Sequence, residues 1–94
     1  MIYKGLMINE EEKMCYINSS PIMLSKKEYE LLKYLLSIPN HIFSREHLLV
    51  TIWDSNQVST RTVDTTISRL RKKLEEYGSN IITRSGFGYG FTTR

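Results

Sequence analysis

The stretch 60–77 constrains this chain more than any other. Val63, Ile67, Leu70, Leu74 and Tyr77 recur there at +4, +7, +11 and +14 from the first, which draws one apolar stripe along a helix. Plotted at about 100° per residue, the stripe leaves a second face of Thr62, Thr65, Thr66, Arg69, Lys72 and Lys73. Small hydroxyls open that face and cations follow. The acids stand aside: Asp64 lies off the face, and Glu75-Glu76 sit at the C-terminal turn. A solvated helix usually mixes both signs around its exposed arc. Short polar side chains instead let a helix backbone approach a groove, where Arg and Lys reach base edges and phosphates. The pattern reads as a DNA recognition helix.

Charge distribution agrees with that reading. Residues 1–40 hold five Lys/Arg and five Asp/Glu, whereas residues 41–94 hold eight against five, so the whole net charge of +3 lies in the second part. A polyanion is the partner such a balance favours. Ninety-four residues that are 40% hydrophobic and 24% charged make one small globular domain, with no linker, repeat or low-complexity segment to divide it. Cys15 is the only cysteine, which excludes an internal disulfide or a thiolate zinc cage. The sequence has neither a run of about 18–20 apolar residues nor a signal-peptide pattern. A soluble cytoplasmic protein is the expectation.

Residues 1–24 lack helical periodicity. Ile2-Tyr3, Leu6-Met7-Ile8, Met14-Cys15-Tyr16-Ile17 and Ile22-Met23-Leu24 are β-favouring pieces separated by Gly5, the polar run 9–12 and the turn-rich run 18–21. Three or four short antiparallel strands follow from that spacing. Ser25-Lys26-Lys27-Glu28 is a capping box, and it opens a helix over about 26–37 with Tyr29, Leu32, Leu35 and Leu36 facing the core. Pro39 stops it. Ser44 caps a second helix over about 45–53, with Leu48, Leu49, Ile52 and Trp53 inward or partly so. The third helix spans about 60–77, with Gly78 as its C-cap glycine. Ile81 to Arg84, a glycine-studded turn, and Tyr89 to Thr92 make a hairpin over about 81–93.

Catalysis finds little support. His41 and His47 have no acids spaced around them for a metal site, and Ser44 and Ser85 lie in no nucleophile-elbow pattern. Gly86-Phe87-Gly88-Tyr89-Gly90 follows no phosphate-loop pattern and opens no helix. No cofactor or metal is therefore expected. Three helices with a hairpin behind them match a helix-turn-helix carrying a wing. That arrangement puts Arg61 and Thr62 in the major groove, with Arg45 and the Trp53 indole as phosphate donors. Core packing is the equal alternative for Trp53, and solvation is the alternative to minor-groove entry for Arg84.

These residues also carry a family resemblance. Leu24-Ser25-Lys26-Lys27-Glu28-Tyr29-Glu30-Leu31-Leu32, Ser44-Arg45-Glu46-His47-Leu48-Leu49 running to Trp53, and Arg61-Thr62-Val63-Asp64 running to Ile67-Ser68-Arg69-Leu70-Arg71-Lys72-Lys73-Leu74 resemble the OmpR/PhoB-type effector domain of bacterial response regulators. Gly86-Phe87-Gly88-Tyr89-Gly90-Phe91 resembles its wing. The resemblance spans essentially the whole chain and implies an α+β winged helix-turn-helix with an N-terminal four-stranded sheet. It implies base-reading roles for Thr62, Thr66 and Arg69, and DNA-backbone roles for Arg45, Trp53, Arg61, Arg71, Lys72 and Lys73. Arg84 and Ser85 fall on the wing, and Asp54, Ser55, Asn56 and Gln57 in a loop through which some members contact RNA polymerase. Tandem dimers on promoter DNA and an attached receiver domain, absent from these residues, are also implied. The pattern departs at Ser85 and Gly90, where basic residues are common, and at Thr66 and Ser68, often larger. An interface with fewer cations, relying more on the major groove, is what those departures imply. A protein-interaction module contacting polymerase or an acidic partner is the rival reading.

Overall fold

Two-residue turns set the first part of the fold. The computed structural model describes residues 1–54 and 58–94. Strands β1 (Ile2–Tyr3), β2 (Leu6–Asn9), β3 (Met14–Ile17) and β4 (Ser20–Ile22) form an antiparallel sheet in sequential order. The pairings Tyr3↔Leu6 and Ile17↔Ser20 leave Lys4-Gly5 and Asn18-Ser19 as the loops. Lys4, Asn18 and Ser19 take positive φ of 54°, 49° and 71°, the handedness that matches the twist of paired strands. The fourth strand thus begins at Ser20, earlier than the expected 22–24, because the turn consumes only two residues. Pro21 is tolerated there because β4 is an edge strand. Leu6, Ile8, Cys15 and Ile17 alternate inward and are buried, giving the sheet one core face. Burial pushes the Cys15 thiol up to about 11.

Helix α1 spans Lys26–Ser37 and α2 Arg45–Trp53, the bounds read from the sequence. Both reciprocal bonds of the α1 capping box are present: Glu28 N donates to Ser25 Oγ at 3.2 Å, and Ser25 N to Glu28 Oε1 at 2.7 Å. Tyr29, Leu31, Leu32 and Leu35 are buried, with Leu36 only partly so. His47 N donates to the Ser44 cap at 3.0 Å, and Leu48, Leu49 and Ile52 complete the inner face of α2.

Helix α3 is shorter than expected. It spans Arg61–Lys73 and gives way to a 3-10 helix at Glu75–Asn80. The stripe nevertheless stays inside: Val63, Ile67, Leu70, Leu74 and Tyr77 are all at most 7% exposed. Leu74 to Tyr77 is one 3-10 turn, so a three-residue step keeps both side chains on the core side. Gly78 is not the C-cap. Glu75 takes the left-handed conformation, φ 56°, and Gly78 serves close approach, since a Cβ there would lie 2.2 Å from the Arg71 carbonyl oxygen.

The C-terminal hairpin pairs β5 (Ile81–Arg84) with β6 (Gly88–Phe91). It is docked, not free. Phe43 N donates to Tyr89 O at 2.8 Å and Tyr89 N to Phe43 O at 3.0 Å, so the α1–α2 connection pairs with β6. Gly88 permits this, because a Cβ would lie 1.8 Å from the Phe43 carbonyl oxygen. Tyr3 meets Tyr77 and Phe91 edge-on at centroid distances of 6.2 and 5.5 Å, and Gly5 N donates to the Tyr77 hydroxyl at 2.8 Å. The N-terminal sheet and the hairpin are therefore packed around one core.

Candidate nucleic-acid interface

The outer face of α3 carries the site. Val63, Ile67 and Leu70 anchor the helix through the core, which turns Thr62, Thr65, Thr66 and Arg69 outward. These four line a shallow groove with Ser59 and Arg61, and no acid lines it. Thr65 Oγ1 donates to Arg61 O at 3.1 Å, and Thr66 Oγ1 to Thr62 O at 2.8 Å. With their protons spent on the helix, these hydroxyls offer lone pairs and methyl groups to whatever enters. Such a surface can accept from base amino groups or pack on a thymine methyl. Among the described residues, no ion pair or side-chain hydrogen bond engages the head groups of Arg61, Arg69 or Lys72.

Arg71, Lys73 and Arg45 are held by the protein itself. Arg71 Nε and Nη2 donate to Ile81 O at 3.0 and 2.7 Å, and Nη2 also to Thr83 Oγ1 at 2.7 Å. Its guanidinium lies 6.0 Å from the Tyr89 ring centroid, so Arg71 ties α3 to the hairpin. Lys73 Nζ donates to Glu28 Oε1 at 2.7 Å and points to the start of α1. Glu28 is 3% exposed. Burial raises its pKa, but the hydrogen bonds from Lys73 and Ser25 and the Lys73 charge outweigh burial and hold it below the usual value. Arg45 Nε and Nη2 donate to the two Asp64 oxygens at 3.0 and 2.7 Å, and the Tyr89 hydroxyl to Asp64 Oδ1 at 2.6 Å. Burial first, then the Asp64 hydrogen bond and charge, push Tyr89 up to about 12. Trp53 is half-buried against the core.

The hairpin tip carries the remaining candidate residues. Arg84 and Ser85 are exposed, and a cleft of about 340 Å³ separates the tip from Arg45, Glu46 and Asp64. Asp54 ends α2 in the left-handed conformation, φ 51°, and is exposed. Ser55, Asn56 and Gln57 lie outside the described residues. Among the described residues, no helix is long and apolar enough to cross a membrane, and no three His, Cys, Asp or Glu side chains gather as a metal site.

Residues 19–91 match the family model described as transcriptional regulatory protein, C terminal. The chain belongs to that family, the OmpR/PhoB type. It is 37% identical over 94 residues to the phosphate regulon transcriptional regulatory protein PhoB of Shigella flexneri, covering 97% of this chain and 41% of that protein. It is similar to the DNA-binding domain of the response regulator AdeR, solved in complex with an intercistronic region, at a TM-score of 0.86 and 32% identity over 97% of this chain and 96% of that one. It is also similar to DrrB, a Thermotoga maritima OmpR/PhoB homolog, at a TM-score of 0.89 and 36% identity over 98% of this chain and 43% of that one. The fold is the winged helix of the OmpR/PhoB type.

Within this OmpR/PhoB-type domain, Thr62, Thr66 and Arg69, expected on one helix face, line one groove together with Arg61. Not expected from the sequence are Asp64 and Tyr89 as the pair that holds Arg45, and Glu28 as the acceptor for Lys73. Asp64 did carry a signal, being the one acid in the first turns of a basic helix. Glu28 was legible as a cap but not as a buried carboxylate needing a cation.

Proposed function

We propose that this chain binds duplex DNA at specific sites as the effector domain of a response regulator, with α3 in the major groove and the hairpin wing near the minor groove. The observation that carries the reading is the outer face of α3: a groove of hydroxyls and arginines, without acids, on a helix anchored through the core. Arg69, Thr62 and Thr66 read bases, and Arg61 and Lys72 neutralise phosphates with head groups that no acceptor among the described residues competes for. Arg45, Arg71 and Lys73 first position other elements, and touch phosphate only through donors left over from their protein partners. Trp53 contributes its indole N–H from the end of α2.

The likeness to a regulator domain solved on an intercistronic region supports the same reading. So does the match to PhoB, a regulator of which this chain spans 41%. We extend the proposal to tandem copies on promoter DNA, a receiver domain in the whole protein, contact with RNA polymerase through residues 54–57, a cytoplasmic location and no catalytic activity.

Selection of duplexes from a random pool, followed by binding of the winner and a scrambled control across salt, tests it. A recovered motif in direct repeats, bound far more tightly than the control, is the expected result. Equal, salt-sensitive binding to both duplexes would remove specificity, and no binding at low salt would leave only the protein-interaction reading.

A further inference from the structure

We infer that the cleft between α1, the β2–β3 turn and the end of α2 is a binding site for a small hydroxylated aromatic carboxylate. This goes beyond the DNA-binding reading and does not rest on it, since no residue lining the cleft lines the α3 groove.

One face of α1 builds the cleft. Lys26, Tyr29, Glu30 and Lys33 recur there at +3, +4 and +7 from the first, so the helix stacks them one above another. Lys13 joins them from the turn between β2 and β3, and Thr51 and Ile52 from the last turn of α2. The space enclosed is about 620 Å³, within the roughly 300–1,000 Å³ of small-molecule sites. Leu24, the Tyr29 ring and Ile52 give it an apolar lining, with Tyr29 and Ile52 each only 6% exposed. A flat aromatic body suits a lining that includes a tyrosine ring.

Two buried polar atoms of the lining residues are unmatched. Among the described residues, neither the Tyr29 hydroxyl nor Glu30 Oε1 has a hydrogen-bond partner. Lys27 Nζ stays 3.8 Å from Glu30 Oε1 while it donates to Ile52 O at 2.8 Å. A buried group in this state carries its full desolvation cost until something supplies the missing bond. An ionised carboxylate only accepts, whereas a phenol can donate. A ligand hydroxyl answers either atom, donating to Glu30 Oε1 or accepting from the Tyr29 proton.

Charge selects the other end of the ligand. Three lysines and one glutamate line the cleft, a net charge of +2. Lys33 Nζ lies 3.4 Å from Glu10 Oε1, and Lys13 Nζ donates to Glu10 O at 3.1 Å. Lys26, exposed in the first turn of α1, has no such partner among the described residues. A carboxylate is complementary to that rim.

The test titrates the full chain with a hydroxynaphthoate whose hydroxyl and carboxylate stand at opposite ends, followed by calorimetry and by heteronuclear NMR. Saturable binding with a Kd below about 1 mM is expected, with amide shifts confined to α1 and the end of α2. Tyr29→Phe should weaken binding about three- to tenfold, the scale of one hydrogen bond. Lys26→Glu should weaken it about tenfold, as an attraction becomes a repulsion. An analogue with an aminomethyl group in place of the carboxylate should bind the wild type more weakly, and bind Lys26→Glu better than the wild type. Melting by circular dichroism checks that both variants keep the fold. No saturable binding, or shifts centred on the α3 groove, would overturn the inference. So would an affinity that either variant leaves unchanged. The DNA-binding reading stands or falls separately, on the duplex selection described above.

Discussion

Asp64 accepts three hydrogen bonds from two other elements, and its position on α3 shows how one residue can set the wing's place. Both side chains of the Arg45–Asp64 pair are about two-fifths exposed, at 41% and 38%, so water screens much of their attraction. The bidentate geometry still favours the pair. A double-mutant cycle between Arg45→Ala and Asp64→Ala, read by urea denaturation, should give a coupling of about 1 kcal/mol; independent effects would mean the contact supplies no stability. The Tyr89 hydroxyl, raised from 10.0 to about 12, keeps its proton in the folded state. Stability from it is intact below pH 10 and lost as the pH rises through about 12. None of this triad was legible as a unit, because residues 45, 64 and 89 meet only through tertiary packing. Thr62, Thr66 and Arg69 were legible, because helical periodicity alone puts them on one face.

Between elements, Gly88 and the buried Glu28 carboxylate make two of the close contacts. Gly86 has nothing within 4 Å of an added Cβ and costs only its φ of 82°, whereas Gly88 has both φ 143° and a backbone oxygen at 1.8 Å. Gly86→Ala should therefore destabilise by about 1 kcal/mol, and Gly88→Ala by about 3 kcal/mol or more, in denaturant melts. Equal costs would contradict the docking of β6 on the α1–α2 connection. Glu28 joins the start of α1 to the end of α3 through Lys73. Its folded pKa is lowered, so its contribution is present above the ordinary value of 4.5 and lost as pH falls through the lowered one. Glu28→Gln should flatten the acid limb of stability against pH; an unchanged limb would show that other carboxylates set it. The bounds of α1 and α2 could be read from their caps, which are local. The end of α3 could not, because Leu74 and Tyr77 are three residues apart, a step an α-helix and a 3-10 helix place alike. The start of β4 was misplaced for a related reason: Asn18-Ser19 makes a complete turn in two residues, and nothing in the composition of 18–21 marks which two.

Across the whole molecule, the excess positive charge lies in residues 41–94, and the structure divides it by use. Arg45, Arg71 and Lys73 hold the second helix, the wing and the first helix against α3. Among the described residues nothing holds the head groups of Arg61, Arg69 or Lys72, and on the proposed reading only this part of the formal charge serves binding. The counterion-release slope should accordingly reflect few phosphate contacts, with specificity resting on the major groove. The measurement that tests this most directly compares Arg69→Ala with wild type on the selected duplex and on a scrambled one, across salt. Arg69→Ala should lose about 1–3 kcal/mol on the selected duplex, the value of one good base contact, and far less on the scrambled one. Equal losses on both duplexes would contradict a base-reading α3.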